Sequence, residues 1–529
     1  MRKEKQKEQK LEKRLLIKVN RRFKLRFFSS AIFCIQCCAI ALNASSLNLD
    51  TDYKLTGVSY PNLDFDTSTS TDSRAYYTQR LRITLSGKFS PDIEIVARLQ
   101  AIGVVGSTIP YQQNASTTNT TVYFQQFDWQ KKYPYPNINF NPFIENAYIK
   151  AANFSGLPLE LTIGRQPIEY GNGLIISDNN AGMNALRFAF DYPAKLHSEF
   201  FTAKIAENFT QAKDFDLQGL IFKYPLKNSD LELGYFEEKD MSGTPYVQGR
   251  KSEATSNISK TFYDFIVSKK GNWGFYSFEY AMQKGNIMLL NNQSDSNGNL
   301  VELDGKAFVA QGRLINDKTR LGKVQAYALL SGSTGDSDSS STGSGNKTNT
   351  ALESFDKDES FTPDFSRKYN GLRKSGWGEY FAGSLNDSLW DVPRSLVNDS
   401  SYGAPYYSGL GAFCIGLDFS PMYGWTFGVA QYAYSASEIY NPSGVSSMGQ
   451  GGGTGGAGLE YLSGVFLTGD INSRKYSLGG ELDLSATYVY SKYLEFKFGF
   501  SRFTPPNNVF VWPKTLTTEM FIFETTCRF

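Results

Sequence analysis

The segment that most restricts the fold is the final one, MFIFETTCRF at residues 520–529. Phe521, Phe523, Thr525, Cys527 and Phe529 fall on one side of a period-two pattern, and Ile522, Glu524, Thr526 and Arg528 fall on the other. Alternation of this length predicts a β-strand with one apolar face and one polar face. Such a strand suits the last strand of a soluble sandwich, with its polar face to water. It equally suits the wall of a closed barrel, with its apolar face to lipid.

The same two-sidedness recurs along the chain. In QRLRITLS, Leu81, Ile83 and Leu85 share one face and Arg80, Arg82 and Thr84 the other. In IEIVARLQA, Ile93, Ile95, Ala97 and Leu99 oppose Glu94, Arg98 and Gln100. Leu482, Leu484, Ala486 and Tyr488 oppose Glu481, Asp483, Ser485 and Thr487, and Leu494, Phe496, Phe498 and Phe500 repeat the apolar side. Beyond residue 44 no apolar run approaches eighteen residues, so no spanning helix is available. If the chain crosses a membrane, it does so as a closed barrel, because backbone groups in lipid must pair internally. Polar side chains facing the other way then line a wet interior.

Connections set the strand count. Eight short turns are read near residues 88–91, 155–158, 192–195, 225–229, 269–272, 315–320, 420–424 and 491–492. Longer polar stretches separate them, at about 104–141, 284–302, 332–407 and 437–472. The last two contain SGSTGDSDSSSTGSGN and GQGGGTGGAG and are expected to be mobile. Eight turns join sixteen strands, and one strand on each side gives eighteen. The expectation is an all-β, transmembrane antiparallel β-barrel over residues 45–529, with short periplasmic turns, long extracellular loops and both termini periplasmic.

Composition fits a chain of many strands and turns, with 40 Phe, 32 Tyr and 47 Gly. Residues 1–44 read as a signal peptide: a basic stretch, then FFSSAIFCIQCCAIALNA at 27–44, ending in small residues. That segment carries +9, and the whole chain +2, so the remainder carries −7. The basic balance is therefore an export feature and not a nucleic-acid surface. Cys414 and Cys527 stay behind, on opposite faces in this register, so no disulfide is expected between them.

An eighteen-strand barrel is too wide for its side chains to fill and encloses an aqueous channel unless loops plug it. Arg80, Arg82, Arg98 and Arg187 point inward at mid-strand, with Lys150 and Arg165 nearer strand ends, forming a basic wall. The inward orientation of Arg165 requires a β-bulge. Guanidinium forks match carboxylate geometry, so this wall is a candidate guide for anionic sugars or other carboxylates. The alternative is that these groups pair with Glu94, Glu145 and Glu160 and stiffen the wall. Inward acids, Asp216, Glu279, Glu481, Asp483, Glu495 and Glu524, make the lumen mixed, with Glu481 and Asp483 opposing the basic sector.

Enzyme chemistry has little material. His197 is the single histidine, and Ser198 falls on the other face of its strand. No cofactor is expected, and the Asp336/Asp338 loop reads as solvated, not as a metal site.

Residues 160–193, ELTIGRQPIEYGNGLIISDNNAGMNALRFAFDYP, pair Gly164-Arg165-Gln166 with Gly171-Asn172-Gly173 and Asp178. With SGWGEYF at 375–381 and the C-terminal stretch from LGGELDLSATY to CRF, this resembles the alginate-export porin family of outer-membrane barrels. The resemblance implies an eighteen-stranded monomer that passes a polysaccharide, and it brings Gln166 into the pore-lining set. The family often carries an acidic residue at the place of Asn172 and a basic one at the place of Leu174, which leaves the substrate open. The expected roles are a channel for anionic or neutral saccharides, a general diffusion porin, or a loop-based adhesin with a plugged barrel. Expected partners are outer-membrane lipid of a Gram-negative cell, a small polar solute or saccharide, and barrel-assembly machinery engaging the strand that ends at Phe529. No nucleic acid is expected.

Overall fold

The computed structural model describes residues 46–61, 74–105, 139–206 except 194, 214–241, 255–290, 299–335 except 321, 356–370 except 368, 373–374, 406–440, 476–504 and 517–529. The expected signal peptide, the Asp336/Asp338 loop and most of the long connections at 104–141, 332–407 and 437–472 lie outside these residues.

The first strands are β1 (Ser46–Tyr60), β2 (Arg74–Ser90), β3 (Ile93–Val105), β4 (Asn139–Ala151), β5 (Leu159–Gln166), β6 (Met183–Asp191) and β7 (His197–Ala206). Next come β8 (Phe215–Pro225), β9 (Asp230–Asp240), β10 (Thr255–Gly271), β11 (Gly274–Leu290), β12 (Asn299–Leu303), β13 (Lys306–Thr319), β14 (Gly322–Ser333) and β15 (Asp356–Asp358). The set ends with β16 (Tyr369–Asn370), β17 (Arg373–Lys374), β18 (Tyr406–Ser420), β19 (Trp425–Tyr440), β20 (Tyr476–Ser491), β21 (Leu494–Thr504) and β22 (Thr518–Arg528).

Eighteen of these form the wall. Each pairs antiparallel with the next, β11 passing to β13 and β14 to β18, and β1 pairs with β22 to close the ring. The four short strands β12, β15, β16 and β17 stand outside that ring. Closure leaves the wall no free sheet edge. Tight connections follow β2, β4, β6, β8, β10, β13, β18 and β20, at the eight places where turn residues predict them. Both the start of β1 and the end of β22 sit at this short-turn end, where Thr51 N–H donates to the Phe529 carbonyl at 2.7 Å.

The cross-strand register fixes the two faces. Leu49, Ile83, Ile149, Ile163, Phe265, Leu417, Leu484, Phe498 and Phe521 are exposed on the outside. Water would oppose so continuous an apolar surface, and hydrocarbon suits it. Inward, β22, β1 and β2 present Glu524, Lys54, Arg80 and Arg82. On β7 to β10 the inward face carries buried apolar side chains, Phe201, Leu217, Ile221, Phe236, Phe262 and Ile266, set among buried Glu199, Glu238, Lys260 and Asp264. Such a surface inside a barrel needs a cover, and the chain supplies one.

Cys414 and Cys527 are free thiols on opposite faces. Asp216 departs from expectation. It lies across from Lys204, on the face of Leu220 and Phe222, and salt-bridges Lys204 at 2.7 Å. The cause is the inward parity of Leu217, Gly219 and Ile221, which leaves their polar neighbours outside.

Candidate functional site: a lumen narrowed by two in-folded segments

The connection between β5 and β6, residues 167–182, folds into the barrel as a narrow hairpin. Tyr170 N–H donates to the Ile176 carbonyl at 3.1 Å, and Asp178 N–H to the Ile168 carbonyl at 2.8 Å. Asp178 turns the chain back into β6, its carboxylate accepting from the N–H groups of Gly182 at 2.9 Å and Asn180 at 3.3 Å. Gly182, at φ +69°, passes so close to the wall that a Cβ there would lie 2.0 Å from the Glu145 carbonyl oxygen. Burial pushes the Asp178 carboxyl above its ordinary range, while those two backbone donors oppose the shift.

Apolar side chains seat this hairpin on the covered wall. Ile168, Leu174, Ile175 and Ile176 are buried, each contributing about 2 kcal/mol by removal from water. Tyr170 stacks on Phe201 at 5.5 Å between ring centroids and meets Phe236 at 5.7 Å. Its hydroxyl donates to Glu199 at 3.1 Å. Burial, with Glu199 beside it, holds the Tyr170 phenol well above its usual range. The tip reaches β11 and β13. Asn172 N–H donates to Glu279 at 2.5 Å, its side-chain amide donates to Ser277 at 3.1 Å, and its amide oxygen accepts from Gln311 at 2.6 Å. The hairpin thus runs as a chord from β5 and β6 to strands well round the ring.

A second segment, residues 359–367, comes in after β14 and docks beside the first. Ser177 N–H donates to the Phe365 carbonyl at 2.6 Å, and Arg367 N–H to the Gly173 carbonyl at 2.7 Å. The Arg367 guanidinium pairs with Glu169. Against the wall, Lys260 donates to the Thr362 carbonyl at 2.6 Å and pairs with Asp364 at 2.9 Å. Phe361 meets Phe262 edge-on at 6.0 Å, and Phe365 packs on Phe215 at 5.4 Å. Together the two segments cover the inner side of β7 to β11.

The basic wall lies on the other side of the hairpin's base. Arg80 pairs with Asp52 at 3.2 Å, Arg82 with Glu145 at 2.9 Å, and Arg98 with Glu145 at 3.5 Å. Lys150 pairs with Glu160 at 2.6 Å, and Arg187 lies between Glu160 and Glu199, 3.7 Å from each. These bases keep one side toward the lumen, Arg98 with 32% of its side chain exposed and Arg187 with 27%. Glu145 owes its position to a bulge. Arg98 faces Asn146 and Leu99 faces Ile144, so Glu145 is the unpaired extra residue and turns inward with its neighbour.

That bulge, not one at Arg165, is the irregularity of this region. Arg165 keeps the parity of Leu161 and Ile163 and lies across from Ala147 on the outward side. Its guanidinium donates to the carbonyls of Ile144 at 3.1 Å and Ala181 at 2.6 Å, clamping the hairpin's base instead of lining the pore. Gln166 is likewise a brace: it is buried, and its amide donates to the Ala185 carbonyl at 2.9 Å. Glu481 and Asp483 face inward on β20 as expected from alternation, but both are buried, and Glu481 accepts from the Tyr434 hydroxyl at 3.1 Å. Sequence reading did not find the docking roles of Tyr170, Lys260, Glu279 and Arg367. One signal was present: Leu174-Ile175-Ile176 is an apolar triplet in a connection, which water alone would not accommodate.

A family model described as a protein of unknown function, DUF3373, matches residues 70–192, from β2 through the hairpin to the end of β6. No curated protein matches the chain in sequence. Among solved structures, the chain is similar to Pseudomonas aeruginosa OccD3 (OpdP), with 11% identity, 92% of this chain and 93% of that chain covered, and a TM-score of 0.42. It is similar to Pseudomonas aeruginosa OccK8 (OprE) at 9% identity, 92% and 99% covered, TM-score 0.46. A BenF-like porin from Pseudomonas fluorescens Pf-5 shows 10% identity, 92% and 100% covered, TM-score 0.45. The eighteen-strand ring stands on this chain's own strand pairing.

Proposed function

We propose that this chain is a porin-type channel of a Gram-negative outer membrane, passing small polar solutes through a lumen narrowed by the 167–182 hairpin and the 359–367 segment. The observation that supports it is the unequal lumen. One sector of the wall is rich in buried aromatic and aliphatic side chains and is covered, while the sector from β21 through β1 to β4 carries paired charges with partly exposed side chains, such as Lys54–Glu524 at 2.7 Å. Alternating acids and bases along a wet wall suit solutes that exchange hydrogen bonds with many partners, as neutral or anionic saccharides do. Residues 1–44 act as an export signal in this reading, the barrel is a monomer, and the strand ending at Phe529 engages the assembly machinery.

The in-folded segments favour a second reading, a plugged barrel that displays its long loops as an adhesin. Planar-bilayer recording of the purified protein separates the two. Stepwise conductance in 1 M KCl is the result expected of the channel, and a silent bilayer with correctly folded, heat-modifiable protein rejects it. Reversal potential in a salt gradient then tests solute charge: a clear anion preference supports anionic saccharides, and no preference supports a general diffusion route.

A further inference from the structure

The single histidine sits where the covered wall meets the short-turn end, outside the set of side chains already given a role. His197 Nδ1 lies 2.6 Å from an Asp191 carboxylate oxygen, and Nε2 lies 2.9 Å from a Glu199 carboxylate oxygen. A carboxylate only accepts. A neutral imidazole carries one N–H, so one of its two nitrogens would turn a lone pair toward an anion. Only the imidazolium, with two donors, satisfies both contacts.

The surroundings say what this proton holds. Facing His197 are Asp191 and Arg187 from β6, Glu199 from its own strand, Lys223 from β8 and Glu232 from β9. Lys223 is 3.4 Å from both Glu199 and Glu232, and Arg187 Nε is 3.7 Å from Glu199. Arg187 also lies 3.7 Å from Glu160 on β5, which pairs with Lys150 at 2.6 Å, so with His197 charged four cations meet four carboxylates; with it neutral, the cluster is left one negative charge in excess. Glu199 is the centre of the group, and its other oxygen accepts the Tyr170 hydroxyl of the hairpin at 3.1 Å. Lys223 also lies 5.5 Å from the Tyr170 ring centroid. The hairpin's aromatic anchor therefore rests on a carboxylate that the histidine orients.

We propose that His197 is a pH-sensitive latch for the 167–182 hairpin: protonated, it fixes Glu199 and holds the hairpin seated through Tyr170; neutral, it loosens that seat and frees the narrowing element. The latch rests on the geometry of the hairpin and does not require that the barrel conduct.

The test is hydrogen–deuterium exchange of residues 167–182 in the full-length folded protein, at pH 6.0 and pH 8.0, corrected for intrinsic exchange. Trading a charge-assisted hydrogen bond for a neutral one changes opening by about five-fold, so the wild type is expected to protect the hairpin about five-fold better at the lower pH. His197→Gln and Tyr170→Phe are expected to abolish that difference, the first by removing the proton site and the second by cutting the link. Heat-modifiable migration confirms that each variant is folded. A wild type with no pH difference, or a difference that survives in a folded Tyr170→Phe or His197→Gln, overturns the latch. Bilayer conductance over the same pH range is a separate readout, so a silent barrel with pH-dependent exchange would reject the channel and keep the latch.

Discussion

The wall of β7 to β10 and the wall of β22, β1 and β2 share an outward face and differ inward. Outside, both carry an apolar belt: Phe200 and Leu220 on the first, Ile83 and Phe521 on the second. Inside, the first carries Phe201, Leu217, Phe236 and Phe262, and the second carries Asp52, Lys54, Arg80 and Glu524. The outward face answers to one solvent around the whole ring. The inward face answers to whatever lies against it locally, which is folded chain on one side and polar groups on the other. A barrel lumen is thus a protein core in one sector and a charged, wet wall in another.

Six substitutions, in four tests, probe that contrast. The largest effect is expected at the covered wall. Phe236→Ala should cost about 3–5 kcal/mol by leaving a cavity under Tyr170, while Ser86→Ala on the open wall should stay within about 0.5 kcal/mol. Denaturant midpoints in lipid measure both, and equal losses would erase the distinction between the sectors. Next is the outer face, where Ile83→Arg should cost about 2–4 kcal/mol in a bilayer. A neutral result in the same assay would mean that this surface meets water.

A smaller change tests the chord. Asn172→Asp places a second carboxylate beside Glu279, where Asn172 N–H now donates at 2.5 Å. The tip should lose about 1–3 kcal/mol of docking, seen as faster exchange at 170–176 and a larger conductance step. Smallest is the charged wall itself. Arg80→Ala with Arg98→Ala should shift the reversal potential toward cations by a few millivolts, because Asp52 and Glu145 already screen both bases. An unchanged potential assigns these arginines to wall stiffness alone.

The same contrast explains what could be read from the amino acids. Eighteen strands follow from eight turns because tight reversals carry local chemistry, as at Pro91-Asp92 and Lys492-Tyr493. Alternation puts Arg80, Arg82, Arg98, Lys150 and Arg187 inward, since their neighbours, Gln79 apart, are apolar. It weakens in the stretch from residue 196 to 238, where Phe200 and Phe201 are both large and apolar although only one meets the covering hairpin. Period-two reasoning presumes that the two faces see different solvents, and there they do not. It also placed Arg165 inward through a bulge, when the bulge belongs to Glu145 on the neighbouring strand. Such a shift depends on pairing between strands, and a single strand's sequence does not contain it. The docking of residues 359–367 on Gly173 and Ser177 is a contact between distant segments, and no local pattern announces it.

Ring closure has a consequence for how the molecule is made. Thr56 and Glu524, 468 positions apart, meet within hydrogen-bonding reach across the β1–β22 seam. Every other junction of the cylinder joins successive staves and can zip as the polypeptide emerges, but this one waits for nearly the whole length and must bring its ends together against a large loop entropy. Until it forms, two margins keep their backbone amides unpaired, so the seam is the junction that closes the longest loop of the ring.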